Sequence, residues 1–93
     1  HPHCSNDEIA VVHNGIIENH EALRKKLQEL DYTFTTETDT EVIVHLLHYN
    51  SQQESNFIDA IYKTTHELIG AYAVGIINLT TPDKLYAVRS GSP

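Results

Sequence analysis

Residues 71–78 have the sequence AYAVGIIN, which begins with the longest apolar run in the chain. A strand with one face in water alternates apolar and polar residues, and this run does not. We therefore expect a strand that is buried on both faces or lies central in a sheet. The following segment 80–83, TTPD, is typical of a turn. Residues 85–88 then predict a second strand that pairs antiparallel with the first.

Upstream of this hairpin lie a short apolar run and an amphipathic segment. Ile9 to Val12 predict a buried strand, and Asn14-Gly15 behind it is a dipeptide typical of tight turns. Asn19 is a candidate N-cap for a first helix. That helix would present one apolar face, because leucines recur at positions 23, 27 and 30.

Two further helices are predicted between these segments. Residues 32–36 suggest a short extended stretch, after which Thr38-x-x-Glu41 matches a capping box at the start of a second helix. That helix fades at Asn50-Ser51, before a polar loop. A third helix begins after Ser55 or Asn56 and ends before Gly70, which we interpret as its C′ residue. The resulting order, βα(β)ααββ, indicates an α+β fold.

Charge and composition exclude several classes of partner. The chain has 93 residues, with 13 acidic and 6 basic side chains and a formal net charge of −7. This argues against nonspecific binding to nucleic acid or to anionic membrane surfaces, which needs clustered Lys and Arg. No apolar run approaches the roughly 18 residues of a membrane span. The single cysteine, Cys4, favours a reducing compartment, and we expect the cytoplasm.

Both ends of the sequence suggest a piece of a longer chain. It contains no Met and starts at His1, and its last residues follow a strand-like segment directly. We therefore expect residues 1–93 to form part of one domain.

Histidine is abundant, with seven residues, yet no metal site is predicted. An amino-terminal copper or nickel site with histidine third needs the amide of residue 2, and Pro2 has none. His45 and His48 lie on one helix surface without an accompanying ligand motif, so we expect them to be solvated or at an interface. Cys4 has no basic neighbour or helix N-terminus to activate it, which favours an incidental cysteine.

Two groups of residues could carry chemistry, and pattern alone leaves both open. A strand that ends at Asn14-Gly15 can present a side-chain amide and a backbone N–H to one point, as an oxyanion hole requires, although Asn-Gly is also simply a good turn. Glu37, Asp39 and Glu41 enter a helix at alternating positions. They could cap and solvate the helix start, or grip an ammonium group.

Four blocks of the sequence resemble a known family. They are HNGIIENH at 13–20, TETDTEVI at 36–43, GAYAV at 70–74 and AVRSGSP at 87–93. Together they resemble the glutaminase domain of the glucosamine-6-phosphate synthase family (glutamine–fructose-6-phosphate aminotransferase, isomerising), which are N-terminal-nucleophile glutamine amidotransferases. The segments 16–19 and 89–93 look like these hexosamine enzymes rather than amidophosphoribosyltransferases.

The resemblance implies a fold and roles for particular residues. The fold would be part of a four-layer αββα sandwich with antiparallel sheets. Asn14 matches the side-chain oxyanion donor and Gly15 the neighbouring backbone donor. Asp39 matches the carboxylate that holds the α-amino group of L-glutamine, and His1 is a peripheral candidate for substrate binding. The family's hydrolysis of glutamine needs no cofactor.

The family's other functional parts would lie outside this sequence. By the resemblance, the nucleophilic cysteine and an Arg-Trp segment precede His1, and the domains that bind fructose 6-phosphate follow Pro93. Cys4 does not match the nucleophile, so we expect residues 1–93 alone to be inactive. The parent would be a homo-oligomer, and the piece could associate through exposed strands. The alternatives are the glutaminase part of another amidotransferase, such as amidophosphoribosyltransferase, and a noncatalytic binding module of the same fold.

Overall fold

The computed structural model describes residues 3–6, 8–81 and 83–91. Its elements are β1 (His3–Ser5), β2 (Ile9–Ile17), α1 (His20–Glu29), α2 (Asp39–Gln53), α3 (Phe57–Glu67), β3 (Gly70–Asn78) and β4 (Leu85–Ser90). The strands form one sheet in the order β1-β2-β3-β4, and each neighbouring pair is antiparallel. The predicted α+β class is confirmed. One sheet with one helical layer corresponds to half of a four-layer sandwich.

The strand β3 is central, as expected, but it is buried on one face only. Tyr72, Val74 and Ile76 are buried, whereas Ala71 and Ala73, which alternate with them, are exposed. Of the two expected alternatives, the central position in the sheet is confirmed and burial on both faces is not found among the described residues. The small residues Ala71, Ala73 and Gly75 on the outer face concealed the alternation. The predicted antiparallel pairing with β4 is confirmed.

The helices cover the inner face of the sheet and enclose the core. The helix α2 packs against β1, β2, α1 and α3, so every side chain from Val42 to Leu47 except His45 adds apolar surface to the interior. In α1, Leu23 and Leu27 join this core, while Leu30 is 38% exposed just beyond the helix end. The sheet and helices therefore form a two-layer unit whose outer sheet face is open among the described residues.

The strand β2 is longer than predicted. It runs through Asn14 and Gly15 to Ile17, and these two residues pair with Ala73 and Tyr72 of β3. The prediction of a turn at Asn14-Gly15 is therefore wrong, since pairing along the whole of β3 outweighs the local turn preference. Gly15 keeps a positive φ of 111° within the strand.

Helix starts fall where predicted, but their side chains bond elsewhere. Asn19 is the N-cap residue of α1, yet its side chain donates to the Glu67 carbonyl at 2.8 Å and accepts from the Ile69 amide at 2.9 Å. Thr38 is the N-cap of α2 without a side-chain capping bond. The capping-box interpretation of Glu41 is therefore wrong.

Three smaller expectations also change. Residues 32–36 belong to no strand, and α2 continues to Gln53 rather than fading at Asn50-Ser51. Asn56 is the N-cap of α3, and its side chain accepts from the Asp59 amide. Gly70 does not end that helix as a C′ residue but begins β3, where an added Cβ would lie 2.1 Å from the Ile16 carbonyl oxygen.

Candidate functional site

Asn14 and Gly15 lie near the end of β2, where they border a cleft. The Asn14 side chain is exposed on the outer face of the sheet, as are those of Val12 and Ile16 before and after it. The cleft has a volume of about 460 Å³. It is lined by Asn14, Gly15, Ala71, Tyr72, Ala73, Arg89, Ser90 and Gly91. A side-chain amide and a glycine backbone therefore border the same open space.

Asp39 lies at the first residue of α2, in the helical layer. Its Oδ2 accepts a hydrogen bond from the Ile17 amide at 3.1 Å, which ties the start of the helix to the end of β2. Its Oδ1 lies 3.8 Å from His20 Nδ1, which is too long for a hydrogen bond. One oxygen of the carboxylate is thus occupied, and the other has no hydrogen-bond donor among the described residues.

His13 and Thr40 connect the two predicted groups. His13 Nδ1 and Thr40 Oγ1 are 3.2 Å apart, so the residue before Asn14 is bonded to the residue after Asp39. The Asn14 and Asp39 side chains themselves belong to different layers, and no hydrogen bond joins them in the described part of the chain. The structure therefore brings the two segments together without bringing the two side chains into contact.

The electrostatics leave the Asp39 charge available to a ligand. Burial lowers the pKa of His13, and the nearby Asp39 carboxylate only partly offsets this. His13 is therefore predominantly neutral near pH 7 and does not neutralise Asp39. His13 Nε2 and His20 Nδ1 are both buried without a hydrogen-bond partner. A carboxylate beside the neutral His13 ring, with one oxygen free of hydrogen bonds from the described residues, is suited to an ammonium group.

The other sequence candidates do not form a site among the described residues. His45 and His48 are 7% and 6% exposed, so the expectation of solvated or interfacial histidines is wrong. Cys4 is an exposed free thiol on β1. No group of three or more His, Cys, Asp or Glu side chains in the described ranges could hold a metal ion. His1 lies outside the described residues.

Sequence reasoning missed His13, Thr40 and His20 as neighbours of the candidate residues. All three stand inside the quoted blocks 13–20 and 36–43. The alternation of β2 could have indicated that His13 faces the helices, but nothing in the sequence pairs it with Thr40.

Comparison with known proteins defines the class of this domain. The family model for a glutamine amidotransferase domain matches residues 1–91, and the chain belongs to that family. It is 57% identical over all 93 residues to glutamine–fructose-6-phosphate aminotransferase [isomerizing] of Pseudomonas syringae pv. tomato. The same-named protein of Legionella pneumophila (strain Lens) is 55% identical over the whole chain. The chain spans 15% of the length of each of these relatives.

A solved structure agrees with this assignment. The fold is similar to that of glutamine phosphoribosylpyrophosphate amidotransferase from B. subtilis in complex with ADP and GMP, with a TM-score of 0.67 and 30% identity. The match covers 85% of this chain and 17% of that one. Among the described residues, no helix has the length and apolar character needed to cross a membrane.

Proposed function

We propose that this chain supplies part of the glutamine-binding site of an enzyme that hydrolyses L-glutamine to glutamate and ammonia, for conversion of fructose 6-phosphate to glucosamine 6-phosphate. The observation that carries the proposal is the 57% identity, over the entire chain, to a glutamine–fructose-6-phosphate aminotransferase. The amidophosphoribosyltransferase alternative is supported only by the structural neighbour at 30% identity. We further propose that the parent protein is a cytoplasmic homo-oligomer.

Each candidate residue has one role in this proposal. The free Oδ1 of Asp39 accepts a charge-assisted hydrogen bond from the α-ammonium group of glutamine. The Asn14 side-chain amide and the Gly15 N–H donate to the oxygen that becomes negative when the side-chain amide of glutamine is attacked. His1 is a peripheral contact.

The reaction also needs a nucleophile, which the resemblance places in a cysteine outside this sequence. The thiol gives up its proton as its sulfur bonds to the amide carbon of glutamine, and the C–N bond breaks as the nitrogen takes up that proton and leaves as ammonia. Water then cleaves the thioester and releases glutamate. Residues 1–93 therefore bind glutamine and stabilise the developing oxyanion. Without the nucleophile, we expect them to be inactive alone.

The test uses the protein expressed from its complete gene, in a glutamate-release assay with and without fructose 6-phosphate. Asp39→Asn removes the charge but keeps the shape, and we expect the KM for glutamine to rise about 10- to 100-fold, since a charged hydrogen bond contributes about 1.5–3 kcal/mol. Glu37→Gln is the matched control, because Glu37 is an exposed carboxylate two positions away. Its KM should stay within about twofold of the unsubstituted protein.

A separate substitution tests the oxyanion role. Asn14→Ala should lower kcat by about 10²–10³, as loss of one oxyanion donor does elsewhere. If the unsubstituted protein binds glutamine but releases no glutamate, the noncatalytic binding module is favoured instead. Equal KM values for Asp39→Asn and Glu37→Gln would remove Asp39 from the proposed site.

A further inference from the structure

The segment 33–38 leads into α2 and ends directly before Asp39. It belongs to no helix or strand, so no regular ladder holds its backbone. Thr38, the N-cap residue, makes no side-chain capping bond to the helix. The Ile17 amide and the His13–Thr40 contact hold the start of α2 from the side of β2. The segment on the other side of Asp39 is held by side chains that reach it from elsewhere.

Glu41 is the main side chain that does so. It is only 4% exposed, and its carboxylate turns back from the first turn of α2 toward the segment. Its Oε2 accepts from the Thr35 amide at 2.8 Å, and its Oε1 accepts from the Thr36 amide and the Thr36 hydroxyl, both at 2.7 Å. One carboxylate thus fixes two successive peptide units just before Asp39.

His45 supports Glu41 from the next turn of the helix. Its Nε2 lies 3.3 Å from Glu41 Oε2 and 3.2 Å from the Thr33 carbonyl oxygen. Because both of these groups can only accept, Nε2 carries the proton. Its Nδ1, 2.8 Å from the Ser5 hydroxyl, then accepts from Ser5 in the neutral ring. A chain of hydrogen bonds therefore connects Glu41 through His45 to Ser5 of β1.

Arg24 of α1 holds the other side of the segment. Its guanidinium donates to the Thr36 carbonyl at 3.0 Å and to the Thr38 carbonyl at 3.3 Å. It also lies over the Phe34 ring, 4.7 Å from the centroid. Side chains thus bond to the Thr35 and Thr36 amides on one side of the segment and to the Thr36 and Thr38 carbonyls on the other. Of these partners, only Glu41 lies in the first turn of α2, together with Asp39.

We propose that Glu41 is a positioning residue, whose buried carboxylate fixes segment 33–38 and thereby sets the place at which Asp39 meets the α-ammonium group of glutamine. Glu41 does not touch the substrate, and the inference rests on the proposed function. Burial by itself raises the pKa of Glu41, but hydrogen bonds from Thr36, Thr35 and His45 outweigh it and lower the pKa to about 2. The carboxylate is therefore ionised at working pH.

The test compares variants of the protein expressed from its complete gene. Glu41→Gln weakens the hydrogen bonds to the Thr35 and Thr36 amides. If segment 33–38 then holds Asp39 in its binding position about one tenth of the time, the KM for glutamine rises about tenfold. The kcat should be unchanged, because the lost interaction is equal in ground state and transition state. Thr36→Val removes one hydroxyl donor to Glu41 and should raise the KM by a smaller factor.

A control separates positioning from general destabilisation. Asn50, near the other end of α2, is 1% exposed and donates to Thr64 Oγ1 at 2.9 Å and to Glu67 Oε2 at 2.8 Å. Asn50→Ala should lower the melting temperature and leave the KM unchanged. Hydrogen exchange of the Thr35 and Thr36 amides should accelerate in Glu41→Gln and not in the control.

The outcomes distinguish this inference from the function on which it rests. If Asp39→Asn raises the KM and Glu41→Gln leaves both the KM and the exchange of segment 33–38 unchanged, the positioning role is refuted and the function stands. If Glu41→Gln and Asn50→Ala change KM equally, Glu41 has only a structural role. If the unsubstituted protein releases no glutamate, the function fails and the inference fails with it.

Discussion

Replacing Gly15 by alanine should disturb the sheet at the point where the candidate oxyanion donors lie. Gly15 has a φ of 111°, and an added Cβ would lie 2.3 Å from the Ala71 carbonyl oxygen and 2.7 Å from the Tyr72 Cα. Both are backbone atoms of the paired strand β3. They cannot move aside without displacing that strand, so the strain cannot be relieved by a side-chain rotation.

The expected cost follows from three contributions. A positive φ costs an L-residue about 1–2 kcal/mol. Overpacking against atoms that cannot retreat costs about 1–3 kcal/mol. The loss of unfolded-state entropy in Gly→Ala offsets about 0.4–1 kcal/mol of this. Together they predict that the free energy of unfolding falls by about 3 kcal/mol, within a range of about 1–4.6 kcal/mol.

Urea denaturation followed by circular dichroism measures this difference. With an m-value of about 1–3 kcal/mol/M, a loss of about 3 kcal/mol lowers the midpoint by about 1–3 M. Gly75→Ala in the same strand pair is the matched control, because its Cβ would meet only the Val12 Cγ2, at 3.1 Å, which can shift. A loss below about 1 kcal/mol for Gly15→Ala, or equal losses for both variants, would show that position 15 accommodates a Cβ without backbone strain.

Two further predictions concern stability. Because the pKa of Glu41 is lowered to about 2, its carboxylate contributes stability that is present above about pH 4.5 and is lost as the pH falls through about 2. When the pH falls from about 5 to about 2.5, the free energy of unfolding measured by urea denaturation should decrease in both proteins. The decrease should be about 2–3 kcal/mol smaller in Glu41→Gln than in the unsubstituted protein. Asn56→Ala removes the capping bond to the Asp59 amide at 2.9 Å and should cost about 0.5–2 kcal/mol by the same assay, whereas Ser55→Ala should be neutral; equal effects would contradict the assigned cap.

The helices and the β3–β4 hairpin could be predicted because their signals are local. Helix α1 repeats leucine on one face, and α3 begins at an asparagine that caps it. The strand β1 was missed, since its three residues carry no period and become a strand only by pairing with β2. The prediction of a turn at Asn14-Gly15 was wrong because pairing with β3 outweighs the local preference of the dipeptide.

The α+β class and the three helices could be predicted from local patterns in the sequence. Four blocks of resemblance further predicted the glutamine amidotransferase family, with Asn14, Gly15 and Asp39 as candidate residues. The contacts that hold these residues follow from the packing of the sheet against the helices. The His13–Thr40 contact spans 27 positions, and the free oxygen of Asp39 depends on where Ile17 and His20 lie. Contacts between distant segments leave no periodic signal along the chain, so they become visible only when the layers are packed together.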